Sequence, residues 1–395
     1  MRATILLLAA LATSAQAQWT IQTPTTADLR GIDNVGHGIA WASGTNGTVL
    51  RTEDAGYLWQ TCTIPPGAEH LDFRGIQAFD ANTAIVMSSG TGDQSRLYKT
   101  TDGCQTWTLV LTNPDKDGFW DAVALDGKSL WILGDPVQER FTVIHFKLPA
   151  RFPSSTVSIP CTINPIADEL SRDCGDGMTA NPKATGAFAA SNSSFFVGNP
   201  RQTYFGPPPP AAERVHPMTT INLQYFVTGG TAGANICERI GFRYGDGIPP
   251  LSWHCQRVPV GEPVESAGAF SLAFGQQGNG VIVGGDYLKP NDLTRTAAFM
   301  TDGGKTWQAA TTPPHGFRSA VAYDAPTKTW ITVGPNGTDI STDDGRNWRP
   351  LHPTGNEAPD ADQHWNALSL PFAVGPHGRI GILNPAALKP TPTKP

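Results

Sequence analysis

Charge is scarce in this 395-residue chain, where Asp, Glu, Lys and Arg together make up only 16% of the residues. The net charge is −6 and no basic run occurs, which argues against a nucleic-acid partner. Cysteine is confined to six positions, none in a C-x-x-C pair, and the nine histidines form no H-E-x-x-H. Neither a zinc centre nor a dithiol redox site is written into such a pattern, so we expect no metal and no cofactor. Gly278-Asn279-Gly280 precedes an apolar strand pattern instead of joining a strand to a helix; a tight turn explains it better than a dinucleotide fingerprint. No apolar run is long enough to span a bilayer. What abounds is glycine, with 42 residues, and proline, with 34, and this balance marks a turn-rich β protein.

The first 17 residues have the layout of a secretory signal peptide. Arg2 supplies the basic end, Ile5 to Ala12 the short apolar core, and Ala15-Gln16-Ala17 the A-x-A cleavage site. The mature chain is therefore expected to be exported, periplasmic or secreted. Six cysteines in that setting favour disulfides.

An octapeptide recurs four times with the pattern S/T-x-D-x-G-x-x-W. The copies run from Thr52 to Trp59, Thr100 to Trp107, Met300 to Trp307 and Ser341 to Trp348; Cys104 replaces the Gly in the second copy and Met300 the hydroxyl residue in the third. Each lies between two β-type runs. The hydroxyl and carboxylate can accept backbone N–H bonds within a turn, Gly supplies a positive φ, and Trp opens the outgoing strand with a large apolar ring. This chemistry gives Asp54, Asp102, Asp302 and Asp343, with Trp59, Trp107, Trp307 and Trp348, a structural role. The octapeptide is similar to the Asp-box of sialidase-type repeats, which lies on the hairpin between the third and fourth strands of a propeller blade, on the rim.

Inner strands then number seven, at Leu29-Arg30-Gly31-Ile32, Phe73-Arg74-Gly75-Ile76, Phe119-Trp120-Asp121-Ala122, Gly186-Ala187-Phe188-Ala189, Gly268-Ala269-Phe270-Ser271, Phe317-Arg318-Ser319-Ala320 and His364-Trp365-Asn366-Ala367. A second apolar run follows most of them, and the tryptophan spacing fits one four-stranded blade per repeat. Trp19-Thr20-Ile21-Gln22-Thr23-Pro24 reads as an outer strand with no hairpin before it, while the C-terminal blade lacks one. We expect residues 19–24 to close the last blade. Residues 18–385 would then form one all-β, seven-bladed propeller of four-stranded blades, with irregular insertions at about 147–183 and 200–220 and a Pro-rich tail at 386–395. In the fourth blade, Phe195-Phe196-Val197 and Gln224-Tyr225-Phe226-Val227 both qualify as second strand.

Cys237 and Cys255 are symmetric about Asp246 at the centre of a degenerate hairpin, and so are expected to pair. Cys161 and Cys174 close a short Pro-flanked loop, which leaves Cys62 and Cys104 as the third pair.

With repeats and closure together, the chain resembles the seven-bladed propellers related to the photosystem II stability and assembly factor. Phe73-Arg74-Gly75-Ile76, Leu133-Gly134-Asp135-Pro136, Gly186 to Asn192, Val283-Gly284-Gly285-Asp286-Tyr287 and Phe317 to Ala322 carry the resemblance. It implies the fold across nearly all the mature chain and an exported binding or assembly scaffold.

In a propeller, inner-strand starts and the loops after second strands converge on one face of the central channel. Arg30, Arg74 and Arg318 are expected there as grips for a carboxylate or phosphate, with Trp120 and Trp365 as stacking surfaces. The expected partner is a protein or an acidic polymer or sugar, and the expected state is a monomer. The alternative is a sialidase- or xyloglucanase-like glycoside hydrolase, which needs two carboxylates flanking a sugar. Asp121, Asp135, Glu265 and Asp286 are its candidates. The chain lacks the F-R-I-P motif of sialidases, and its seven blades depart from their six.

Overall fold

The computed structural model describes residues 17–127, 129–147, 161–162, 170–173, 179–198, 219–220, 223–239, 242–243, 252–275, 278–303, 306–355 and 357–388. These residues form seven sheets, one per blade of a propeller, and a small ribbon pairing Thr219–Thr220 with Phe242–Arg243. Blade one shows the plan: Leu29–Gly36, Ile39–Gly44, Val49–Thr52 and Gln60–Thr61 pair in sequence order, all antiparallel. Blade three departs from it. After Trp120–Asp126, Ser129–Val137 and Arg140–Lys147, its fourth strand is Ser171–Asp173, and Cys161–Thr162 runs parallel outside that. No helix among the described residues is long and apolar enough to cross a membrane.

Burial explains why these segments are strands. The second strands lie between neighbouring blades and are covered on both faces, as in Ala84–Ser88 and Thr329–Gly334, where every residue is buried. Such strands read as continuous apolar runs. Outer strands such as Gln60–Thr61 and Gln308–Ala309 are short and exposed, which suits an edge. The core is a series of interblade layers. Trp41, Phe73, Ile76, Val86, Tyr98 and Trp107 fill the one between blades one and two.

Trp19–Gln22 pairs with Ile380–Leu383 and completes blade seven, as the sequence led us to expect. Trp19 packs against Trp365 at 5.0 Å, and Glu357 accepts the Gln18 and Trp19 N–H groups at 2.8 and 2.9 Å.

The octapeptides form the hairpins between third and fourth strands. In the first, Thr52 Oγ1 donates to Asp54 Oδ1 at 2.8 Å and accepts from Gly56 N at 3.0 Å, while Leu58 N donates to Asp54 Oδ1 at 3.0 Å. The second and fourth copies repeat this set. Cys104 takes the glycine position with a φ of 64°. The third copy keeps the bond from Thr306 N to Asp302 at 3.1 Å. Hydrogen bonds from the Thr106 side chain and backbone, joined by those from Thr100 and Gln105, outweigh partial desolvation and hold Asp102 down to about 2. These carboxylates are turn locks.

Cys62–Cys104 and Cys237–Cys255 are both disulfide-bonded, the second directly in register across blade four. Cys174 falls outside the described residues, as do residues 1–16, where the sequence reading puts most of a signal peptide, and most of both insertions.

Blade four corrects the sequence expectation. Its inner strand is Phe195–Gly198, its second strand Leu223–Val227, and Gly186–Ala189 leads in ahead of them. Gly186 bridges to Gly229, which bridges in turn to Gly268 of blade five. Side chains at Gly229 or Gly268 would collide with the facing glycine and with Phe188, whose ring stacks on Phe270 at 3.9 Å.

Candidate functional site on the channel face

Four inner strands carry a one-residue bulge near their start. In blade five the extra residue is the buried Phe270, and in blades one to three the bulge decides which side chain leaves the core register. Leu29 pairs with Gly44 and Gly31 with Ser43, so Arg30 is the extra residue; Phe73 and Gly75 flank Arg74 in the same way. In blade three the pairs are Trp120 with Gly134 and Ala122 with Leu133, which makes Asp121, not Trp120, the counterpart of the two arginines. A bulge re-aims one side chain and leaves its neighbours on the core side. Trp120 is accordingly fully buried against Leu97, Leu111 and Phe146. Trp365 is buried too, between Trp19 and the Arg379 guanidinium. Neither indole is presented to a ligand, which corrects the expectation that they form stacking surfaces.

The three arginines divide in the same way. Arg30 and Arg74 share Asp72: Arg74 Nε lies 2.9 Å from Oδ2 and Arg30 Nε 3.6 Å from Oδ1. Arg30 also reaches Asp28 at 3.8 Å, and Arg74 donates to the Ala189 carbonyl at 3.1 Å, linking blade two to blade four. Their side chains keep 30% and 32% exposure. Arg318 stands apart. It is fully buried, pairs with Asp339 through Nε at 2.9 Å and through a second nitrogen, and donates to the Phe317 carbonyl at 2.8 Å. Burial raises the Asp339 carboxyl, but the His315 hydrogen bond and the Arg318 charge together outweigh it and hold the group below the ordinary range. His315 Nδ1 lies 2.9 Å from Asp339 Oδ1. Arg318 is a strut, not the third member of an anion grip.

Among the four candidate carboxylates, Asp121 and Asp135 come together. Asp121 is buried, and its Oδ2 has no hydrogen-bond partner among the described residues. Burial, then the charge of Asp135, pushes it well above the ordinary range, against the pull of Arg74 and the Asp135 N–H. Asp135 is pushed up to about 6 by burial, with the Ala187 N–H at 2.9 Å pulling the other way. Gly186 packs closely beside it, since a Cβ there would lie 2.9 Å from Asp135 Oδ1 and would displace that carboxylate. Asp135 and Glu265 line a common cavity of about 390 Å³ with Asp117, Phe119, Lys183 and Thr231. Asp286 is outside that lining and is engaged by Leu288 N at 3.0 Å and Lys289 at 3.5 Å.

Asn192 and Ser193, which sequence reasoning did not single out as site residues, tie the channel together. Asn192 Nδ2 donates to the Ile76 carbonyl at 2.7 Å, and its Oδ1 accepts from Val123 N at 3.3 Å. Ser193 Oγ contacts Ser271 Oγ at 2.7 Å, and Ser271 accepts from Val321 N at 3.0 Å. Five blades are joined through this turn. The signal was the polar run Ser191-Asn192-Ser193-Ser194 between two apolar stretches.

The fold and this face define a seven-bladed β-propeller with a polar, partly exposed channel mouth. By structure it resembles YCF48. The chain is similar to YCF48 bound to D1 peptide, with a TM-score of 0.57 and 15% identity over 94% of this chain and 98% of that one. It is similar also to YCF48 from Cyanidioschyzon merolae, with a TM-score of 0.53 and 14% identity over 94% of this chain and 100% of that one. The WD40 β-propeller domain of Doa1 follows at a TM-score of 0.51 and 9% identity, covering 94% and 98% of the two chains. At such identities the likeness is one of fold. No family model and no curated protein sequence matches the chain.

Proposed function

We propose that this chain is an exported binding scaffold that takes an anionic group of a protein partner at the channel mouth. The observation that carries this reading is the Arg30–Asp72–Arg74 group: two guanidiniums on rigid bulges share one carboxylate and keep about a third of their surface open. Guanidinium nitrogens left facing solvent can bind a carboxylate bidentately. A propeller of similar fold has been solved with a peptide bound, which supports peptide binding on this scaffold. The Asp-box reading of the octapeptides, the leader at residues 1–17 and two disulfides support an exported member of the assembly-factor type.

The hydrolase alternative rests on the Asp121–Asp135 pair. Two carboxylates flanking a sugar are needed, whereas Asp121 is enclosed and Asp286 is engaged by its own loop. Binding is the better reading.

The test is a pull-down of exported proteins by the mature chain, followed by titration of the captured partner against the Arg30→Ala/Arg74→Ala variant. We expect an unchanged fold and at least about tenfold weaker binding, with the difference shrinking at high salt. Equal affinity of the two forms overturns the proposal.

A further inference from the structure

The cavity beside Asp135 has a charge opposite to that of the arginine mouth. Its ionisable lining is Asp117, Asp135 and Glu265 against the single Lys183. Asp121, whose Oδ2 has no partner among the described residues, adjoins Asp135. Arg74, whose charge acts on Asp121, is already engaged by Asp72 and by the Ala189 carbonyl. A volume of about 390 Å³ falls within the roughly 300–1,000 Å³ usual for ligand pockets.

An apolar ridge adjoins the cavity. Tyr287 N donates to the carbonyl of Ser266, the residue after Glu265, at 3.2 Å. From there the loop presents Tyr287, Leu288 and Leu293 at 47%, 71% and 52% exposure. Edge contacts with Phe188 at 6.4 Å and Phe270 at 6.2 Å hold the Tyr287 ring on the floor of the face.

We propose that this cavity receives the cationic side chain of a lysine or arginine in a partner peptide, whose neighbouring apolar residue rests on Tyr287 and Leu288. Charge complementarity selects this occupant: an ammonium or guanidinium donates to Asp135 and Glu265, while an anion meets three carboxylates. The inference rests on the protein-binding reading but uses none of the residues that test it.

The experiment titrates the full mature chain with acetyl-Leu-Lys-Leu-amide, and with the counterparts carrying norleucine or glutamate in place of lysine. The lysyl peptide is expected to bind about tenfold tighter than the norleucine peptide, and the glutamyl peptide weakest, because charge-assisted hydrogen bonds supply the difference. Asp135→Asn and Glu265→Gln should each remove most of the lysine preference. Leu288→Ala should weaken the lysyl and norleucine peptides alike, and Glu53→Gln, a carboxylate on the blade-one rim, should change nothing. Circular dichroism separates misfolding from lost binding; if Asp135→Asn misfolds, Glu265→Gln decides. Equal affinity for lysyl and norleucine peptides, or a lysine preference untouched by the cavity variants, overturns the inference. Either result leaves the Arg30/Arg74 experiment to judge the broader reading on its own.

Discussion

Arg74 and Arg318 are one residue type at one nominal position in their blades, and their surroundings give them different work. Arg74 lies at the mouth and is partly solvated, so its ion pair with Asp72 contributes little stability. Arg318 is enclosed with Asp339, and removing it leaves that buried carboxylate to His315 without the guanidinium charge. Arg318→Met is therefore expected to cost about 3–5 kcal/mol in denaturant unfolding, while Arg74→Ala should stay within about 1 kcal/mol. Asp33 offers a second contrast. Burial pushes its carboxyl up to about 6, and the Ala78 N–H at 2.7 Å pulls the other way. A raised folded-state value means the protonated form favours folding. That contribution is complete below about pH 4 and is lost as the pH rises through about 6. Asp33→Asn keeps an acceptor for Ala78 without the charge. It should be more stable than wild type at pH 8 by up to about 3 kcal/mol, and the gap should close by pH 4. Urea titrations at both pH values check this.

Among the elements, turns and second strands were the most legible in the sequence. An octapeptide hairpin is fixed by bonds within eight residues, and a strand buried on both faces must be mostly apolar, with any hydroxyl hydrogen-bonded as Thr332 is to the Ala320 carbonyl. Legibility failed where register or remote packing decides. The sequence Phe119-Trp120-Asp121 offers no local sign that the bulge sits on Asp121, so the channel-facing side chain was misplaced by one residue. Gly186-Ala187-Phe188-Ala189 looks like an inner strand, yet its glycine serves the bridge to Gly229 and the close approach of Asp135. Of the channel-mouth residues read from sequence, Arg30 and Arg74 came together, whereas Arg318, Trp120 and Trp365 belong to the interior. The Cys62–Cys104 bond was readable only by elimination, because it joins the outer edge of blade one to the turn of blade two. Its sequence separation of 42 implies that replacing both cysteines with Ala costs about 2–4 kcal/mol, measurable as a lower denaturation midpoint.

The molecule as a whole is a ring held shut by one short strand. A form beginning at residue 26 lacks Trp19 and leaves Trp365 and Leu383 without it; it should lose at least about 3 kcal/mol through that side chain alone, with a clear drop in melting temperature. The same strand also sets a timetable. Trp19 is in register with Leu383, so a chain delivered to its folding compartment N-terminus first holds its opening strand unpaired until nearly everything else has arrived. Until then the apolar layer of Leu29, Leu50, Trp59, Phe372 and Val374 has only one of its two walls. A chain stalled in transit is thus a sticky, cleavable intermediate and not a smaller working propeller. The first strand of the ring is thus the last to find its partner, because that partner lies some 360 residues further along the chain.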